Sequence, residues 1–180
     1  NALNTVYGVI DRENAAARRL VLHLSGLLRF FFRPGQMLIP LDEELRIVHS
    51  YLEIEKARLG EKLVVEMNVA PEAGRFRVPP LCIEPLVENA VKHGAASRAK
   101  GGTVSLDIRL EAHNLRIEVG NSGPFVEPDS PRTGVGLANV RRRLELWYGA
   151  SAGFDLHSTP EWTRVVFSIP ENSPAAPITG

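Results

Sequence analysis

Apolar residues recur every seven positions through the first 33 residues of the chain. This heptad period is typical of a long helix that presents an apolar stripe to another helix. The sequence Arg33-Pro34-Gly35 interrupts the period, so the predicted helix covers residues 1–33. The repeating residues are Leu3, Ile10, Ala17, Leu24 and Phe31.

A second helix is predicted from near Asp42 to Gly60. Acidic residues in its first turn favour the positive end of the helix dipole, and glycine is a common helix stop. The helix carries two apolar stripes, so one can pair with the first helix while the other needs a further surface. A hairpin at residues 1–59 is therefore predicted, and three arrangements stay open: a four-helix dimer, docking on the following domain, or packing within its own chain.

Beyond Gly60 apolar and polar residues alternate, which is typical of half-buried strands. Several strands in one antiparallel or mixed sheet, covered by helices on one face, predict an α+β two-layer sandwich. Strands are predicted at residues 63–69, 76–78, 103–111, 115–119, 154–158 and 163–169, and helices at 79–94 and 137–148.

Two segments lack a regular pattern. Residues 122–133 contain Pro124, Pro128 and Pro131, which excludes a helix or a strand and predicts a short lid over a site. Residues 171–180 are rich in proline and alanine, which predicts a disordered tail.

The composition narrows the class of protein. The 180 residues are 44% hydrophobic and 23% charged, as is usual for a globular chain. Equal numbers of basic and acidic residues, 21 each, leave no broad positive field for nucleic acid. The single cysteine, Cys82, excludes an internal disulfide and has apolar neighbours that predict burial. Without an initiator Met, a signal peptide or a membrane-span pattern, the chain is expected to be the cytosolic portion of a longer protein.

The helix predicted at residues 79–94 combines an apolar face with a polar strip. Asn89, Lys92 and His93 fall at spacings i, i+3 and i+4, so they share a face, with Glu88 at its edge. An amide oxygen is a hard ligand for Mg²⁺, an ammonium suits phosphate, and an imidazole can contact a nucleotide. The strip therefore indicates a site for a metal-bound polyphosphate. The alternative is the solvated face of an amphipathic helix.

Two later stretches favour the nucleotide interpretation. An alternating strand runs into Asn121-Ser122-Gly123-Pro124, a strong turn signal. Gly134 and Gly136 then open a helix whose free N–H groups can face an anion. A pair of glycines before a helix can equally be an ordinary flexible loop, and it is the order of the three stretches that strengthens the nucleotide interpretation.

Together these stretches resemble the sensor histidine kinases, in the form used by the LytS-type subfamily. Residues 84–94 look like the N box of that family, Asn121-Ser122-Gly123 resembles its first glycine box, and residues 134–149 resemble its second glycine box and helix. The resemblance extends over residues 1–170. Its further supporting segments are residues 24–29, 41–45 and 51–58.

The resemblance implies the ATP-binding fold shared by histidine kinases, gyrases and related ATPases at residues 60–170, preceded by a dimerisation hairpin at residues 1–59. It implies that Asn89 coordinates the Mg²⁺ that bridges the ATP phosphates, that Lys92 contacts phosphate and that His93 lies near the sugar or base. Glu88 is expected either to orient a water or the attacking nucleophile, or to be a surface carboxylate. The remaining expected cofactor-binding residues are Asn121, Gly123, Gly134, Gly136 and Leu137.

For the whole protein, the resemblance implies transfer of the ATP γ-phosphate to a histidine and relay to a response regulator. It also implies a homodimer formed through the hairpin, and membrane attachment only through parts outside this chain. The phosphoacceptor histidine of the subfamily falls just upstream of Asn1, so this fragment is expected not to phosphorylate itself alone.

Two positions depart from the family pattern. The family has an aspartate, which accepts a hydrogen bond from the adenine amino group, where Asn121 stands, although an amide oxygen can still accept there. Phe125 stands where the pattern has glycine. Two alternatives therefore stay open: a degenerate, nucleotide-free module that acts by dimerisation, and a related ATPase that drives a conformational clamp.

Overall fold

The computed structural model describes residues 38–124 and 135–171. The predicted helix at residues 1–33, most of the predicted lid and the predicted tail beyond Glu171 lie outside the described residues. The described strands are β1 (Ile39–Pro40), β2 (Leu63–Val69), β3 (Arg77–Val78), β4 (Gly102–Glu111), β5 (Asn114–Ser122), β6 (Gly153–Ser158) and β7 (Trp162–Pro170). The described α-helices are α1 (Leu41–Leu59), α2 (Glu84–Ala90) and α3 (Val135–Tyr148).

A mixed five-stranded sheet forms one layer, with strand order β2-β4-β5-β7-β6. The β2–β4 pair is parallel, and the other three pairs are antiparallel. Alternation along the strands turns residues such as Leu106, Ile108 and Ile117 inward, where each is at most 2% exposed. A separate antiparallel ribbon joins β1 to β3, and the sequence pattern did not predict β1.

The helices supply the second layer, because their apolar side chains share one core with the sheet. Leu41 and Val48 of α1, Leu86 and Val87 of α2, and Leu144 of α3 all belong to that core. The expected α+β two-layer architecture is therefore confirmed. Burial of this kind contributes about 25 cal/mol for each Å² of apolar surface removed from water.

Helix α1 is docked on the sheet and on α2 through the stripe that includes Leu41, Leu45 and Leu52. Three arrangements were left open for the hairpin. In the described residues its second helix, α1, docks on the domain that follows it. The domain boundary at residue 60 stays a prediction. No helix in the described part of the chain has the combined length and apolar character that crossing a bilayer requires.

Two local predictions were wrong. Asn121 and Ser122 were predicted to lie in a turn, but they extend β5 and pair with Thr163 and Trp162. The tertiary pairing with β7 therefore overrides the local turn preference of the Asn-Ser sequence. The helix predicted at residues 79–94 begins as α-helix only at Glu84, and from Val91 to Ala96 it is a π-helix. Lys92 and His93 therefore lie in a π-helical turn and not in the α-helix that carries Asn89, and such turns are frequent at functional sites.

Candidate functional site

Three segments that are distant in sequence meet on the helix-covered face of the sheet. A Cβ built on Gly136 would lie 3.1 Å from Asn89 Nδ2, so the start of α3 lies directly against α2. A Cβ built on Gly94 would lie 2.6 Å from the Cβ of Asn121, so the π-helical turn lies directly against the end of β5. The polar strip therefore lies against the second glycine box at Gly136, and its end at Gly94 lies against the first glycine box at Asn121, while a single pocket shared by all three stays a prediction.

The side chain of Asn89 has a defined orientation. Its Nδ2 donates a hydrogen bond of 2.9 Å to the carbonyl of Pro85, one turn earlier in α2. This hydrogen bond uses one of the two Nδ2 hydrogens, and Oδ1 is the acceptor atom of the side chain that a metal ion would take. The neighbouring Gly136 leaves the space that any larger residue would take from this side chain.

Asn121 is buried at the end of β5, with 7% of its surface exposed. Its Nδ2 donates a hydrogen bond of 3.1 Å to the carbonyl of Ser122, which leaves Oδ1 as the acceptor. Gly94 passes so close to this side chain that a methyl group there would overlap it. The packing therefore requires a glycine at position 94. Gly94 closes the segment that resembles the N box, but the sequence alone gave it no role.

The backbone of Gly123 is fixed by the neighbouring strand. Its N–H donates to the carbonyl of Glu161 at 2.6 Å, and its carbonyl accepts from Thr163 Oγ1 at 2.9 Å. Its φ of +99° is accessible to glycine and strained for other residues. The strand end that follows Asn121 is thus held in one conformation.

Lys92 and His93 lie in the π-helical turn that follows Asn89. The side chain of Lys92 is exposed, and that of His93 is half-buried. Burial, and then the positive charge of Lys92, lower the pKa of His93 below its usual 6.5. His93 is therefore a neutral imidazole at pH 7, able to donate one hydrogen bond and accept another.

The other predicted residues contribute less to the described geometry. Glu88 is exposed on α2, as both interpretations of it require. The side chain of Leu137 packs against the core, and Gly134 lies outside the described residues. Of the arginines on α3, Arg141 lies over the ring of Phe154 at 5.5 Å to the centroid.

One further residue at this site was missed in the sequence. A Cβ on Gly123 would lie 2.5 Å from Arg98 Nη1, which puts the Arg98 guanidinium over the end of β5. Two backbone hydrogen bonds hold the loop that carries Arg98. The Arg98 N–H donates to the Ala95 carbonyl, and the Gly101 N–H donates to the Arg98 carbonyl. No sequence signal singles out this arginine, because its position depends on the approach of the loop to Gly123, which is 25 residues later in the chain.

The donor set fits Mg²⁺ held jointly with phosphates. No cluster of three or more His, Cys, Asp or Glu side chains that could hold a metal occurs within residues 38–124 and 135–171. Mg²⁺ bound to nucleotides needs no such cluster, because it takes one or two protein oxygens together with phosphates and waters. The amide oxygen of Asn89 is an atom of the type that such an ion takes, and the hydrogen bond from Nδ2 to Pro85 holds its side chain.

Comparison with known proteins gives matches along both parts of the chain. Residues 1–63 match the family described as histidine kinase, and residues 81–173 match the family described as histidine kinase-, DNA gyrase B-, and HSP90-like ATPase. The chain is 32% identical over 171 residues to the sensor histidine kinase BtsS of Escherichia coli K12, covering 94% of this chain and 30% of that protein. It is 32% identical over 188 residues to the sensor histidine kinase/phosphatase LytS of Staphylococcus aureus MRSA252, covering 94% of this chain and 32% of that protein.

Among solved structures, the chain is similar to the histidine kinase domain of the blue-light activated histidine kinase of Erythrobacter litoralis EL346. The TM-score is 0.60 at 21% identity, and the match covers 92% of this chain and 84% of that one. At this identity the likeness concerns the fold, and the predicted two-layer ATPase fold is confirmed by it.

Proposed function

This chain belongs to the LytS-type sensor histidine kinases and contains their ATPase-like domain, and from that membership we propose that it binds Mg²⁺-ATP and positions the γ-phosphate for transfer to a histidine. The observation that carries the proposal is the contact of Gly136 with Asn89 and of Gly94 with Asn121. These two contacts support the proposal because they put the Asn89 side chain against the start of α3 and the turn that follows Lys92 and His93 against Asn121. An amide oxygen, an ammonium, an imidazole and a helix N-terminus are groups that suit a metal-bound triphosphate.

At the phosphate end, Asn89 would hold the metal through Oδ1, because Mg²⁺ takes oxygen ligands, and the hydrogen bond from Nδ2 to Pro85 would hold the side chain in place. The bound Mg²⁺ supplies positive charge that offsets the negative charge building on the transferred phosphoryl group. Lys92, exposed one turn further along, would contact phosphate as a point charge. Gly136 keeps the start of α3 free of a side chain, so its backbone N–H groups can approach the phosphates.

At the base end, Asn121 would accept a hydrogen bond from the adenine amino group through Oδ1. An aspartate could not donate to the Ser122 carbonyl, so the amide adds a hydrogen bond that fixes its own orientation. The neutral imidazole of His93 would contact the sugar or base without a charge cost. Gly123 and Leu137 would line the nucleotide, and Glu88 would orient a water or the attacking nucleophile.

The chain spans about a third of the length of the BtsS and LytS relatives named above, at 30% and 32%. For the whole protein we infer a sensor kinase that passes phosphate to a response regulator. We expect a homodimer formed through the hairpin at residues 1–59, and a cytoplasmic location for this portion of a membrane-anchored protein. The sequence resemblance supports these inferences.

Titration of the purified chain with a fluorescent ATP analogue and Mg²⁺ tests the proposal. We expect saturable binding that unlabelled ATP competes away. The absence of binding at millimolar nucleotide would contradict the proposal and favour a nucleotide-free module acting by dimerisation, for which the replacement of the family aspartate by Asn121 is the support. Steady ATP turnover without any phosphoacceptor would instead favour the clamp-type ATPase.

A further inference from the structure

Glu44 is a fully buried carboxylate that the nucleotide site does not use. It lies in the first turn of α1, is 0% exposed, and accepts three backbone hydrogen bonds from the segment before and into α2. These come from the N–H groups of Leu81 at 2.8 Å, Ile83 at 2.9 Å and Glu84 at 3.3 Å. Helix α1 is thereby tied through polar contacts to residues 81–84.

Arg143 holds the same segment from α3. Its Nη1 donates to the carbonyl of Leu81 at 2.8 Å and also contacts the carbonyl of Pro80. Leu81 is therefore bound on both sides of its backbone, its N–H by Glu44 and its C=O by Arg143. Leu81 has φ of +56°, a conformation that costs a non-glycine residue about 1–2 kcal/mol. The two side chains stabilise this conformation by satisfying the polar groups that it exposes.

A buried polar link of this kind adds little to the free energy of unfolding, but it selects one packing of the linked elements over others. Burial raises the pKa of the Glu44 carboxyl, outweighing the backbone N–H groups that lower it. Apolar side chains could fill the same volume at a lower desolvation cost, whereas hydrogen bonds to defined backbone atoms fix a register. The register fixed here is that of α1 and α3 relative to residues 80–84.

These residues lead directly into the candidate site. Residue 84 begins α2, whose next turn carries Asn89, and the first turn of α3 carries Gly136, which lies against Asn89. A shift of residues 80–84 relative to α3 would therefore move Asn89 relative to Gly136. Since Glu44 belongs to α1, a shift of α1 would also move residues 81–84 and hence Asn89.

We propose that Glu44 and Arg143 are paired positioning residues, which clamp residues 80–84 between α1 and α3 and so couple the placement of α1 to the geometry of the Asn89 site. This inference rests on the proposed nucleotide function. Neither side chain touches the nucleotide in this scheme. Both act through the backbone that carries Asn89.

The test is a double-mutant cycle in the full 180-residue chain, with Mg²⁺-ATP affinity measured by calorimetry at a temperature where circular dichroism shows each variant folded. Glu44→Gln puts an NH₂ group against a backbone N–H, and Arg143→Gln removes the guanidinium. Glu53→Gln and Arg142→Gln are matched controls, because both residues are exposed on the same helices.

Each clamp variant is expected to weaken Mg²⁺-ATP binding about fivefold or more, as for loss of a hydrogen bond that positions a ligand group. The double variant is expected to lose much less than the product of the two single losses, because both act on one segment. The controls should bind as wild type does. Wild-type affinity in either folded clamp variant, or fully multiplicative losses, would overturn the proposal.

Hydrogen exchange of the nucleotide-free chain provides a second readout, which separates this inference from the proposed function. Glu44→Gln is expected to speed amide exchange in α3 around residues 140–144 as well as at residues 81–84, since the clamp transmits the change. Faster exchange confined to residues 81–84 would overturn the coupling. If the wild type bound no nucleotide, the proposed function would fail while this exchange result still decided whether α1 and α3 are coupled.

If Glu44→Gln does not fold, Arg143→Lys replaces it. We then expect faster amide exchange in the first turn of α1, and unchanged exchange in α1 would contradict the clamp.

Discussion

Gly136→Ala isolates the contact between α3 and Asn89 on which the proposed nucleotide site depends. The new methyl group would lie 3.1 Å from Asn89 Nδ2, about 0.4 Å closer than the optimum of roughly 3.5 Å for such a contact. Relief requires the Asn89 amide to shift by a few tenths of an ångström, which weakens its hydrogen bond with Pro85 at a cost of up to about 1 kcal/mol. Alanine is better than glycine within a helix by up to about 1 kcal/mol, so the two effects on stability nearly cancel.

The prediction is therefore a loss of affinity at unchanged stability. We expect the dissociation constant for Mg²⁺-ATP to rise about fivefold to tenfold, because the metal-binding oxygen moves with the amide. The free energy of unfolding, measured in urea, should change by less than about 1 kcal/mol. Gly153→Ala is the matched control, since its methyl group would meet Ser168 Oγ at 3.3 Å, on β7. Wild-type affinity in the folded Gly136→Ala protein would refute the argument that this glycine makes room for Asn89.

Two further predictions concern the helix between Asn89 and β4. The pKa of His93 in the folded protein lies below its usual 6.5. The free energy of unfolding should therefore be highest above pH 6.5 and should fall as the pH drops from 6.5 through the folded pKa. Lys92→Gln should raise the His93 pKa in an NMR titration, but not back to 6.5, since burial is the larger cause. A pKa that did not move would exclude the Lys92 charge as a cause. Gly94→Ala puts a methyl group 2.6 Å from the Cβ of Asn121 and should lower the free energy of unfolding by about 1–3 kcal/mol, and unchanged urea unfolding would contradict the close packing.

The parts of the fold that follow from local pattern were predictable. The strands β2, β4, β6 and β7 lie within a residue of the alternating segments, and α1 and α3 end where Gly60 and Gly149 follow. Both glycines have positive φ, a conformation that makes glycine a reliable helix stop. Cys82 is buried, as its apolar neighbours predicted. Hydrophobic period and glycine punctuation carry this information because they act over a few neighbouring residues.

The features that depend on contacts between distant segments were not predictable from one sequence. Nothing near Glu44 indicates that an acidic residue in a helix first turn is buried, because its three donors come from residues nearly forty positions later. Helix periodicity likewise gives no sign of the π-helix at Val91–Ala96, which contains Lys92 and His93. At the candidate site, the sequence motifs pointed to the polar residues, but the contacts of Arg98 and Gly94 could be seen only in the folded structure.

The central claim is that Asn89 holds the metal of a bound Mg²⁺-ATP. The direct measurement is the affinity for ATP with and without Mg²⁺, by calorimetry, in the wild type and in Asn89→Ala. We expect Mg²⁺ to strengthen ATP binding to the wild type and this gain largely to disappear in Asn89→Ala, while metal-free ATP binding changes little. An equal loss of affinity with and without Mg²⁺, or no loss at all, would contradict the central claim.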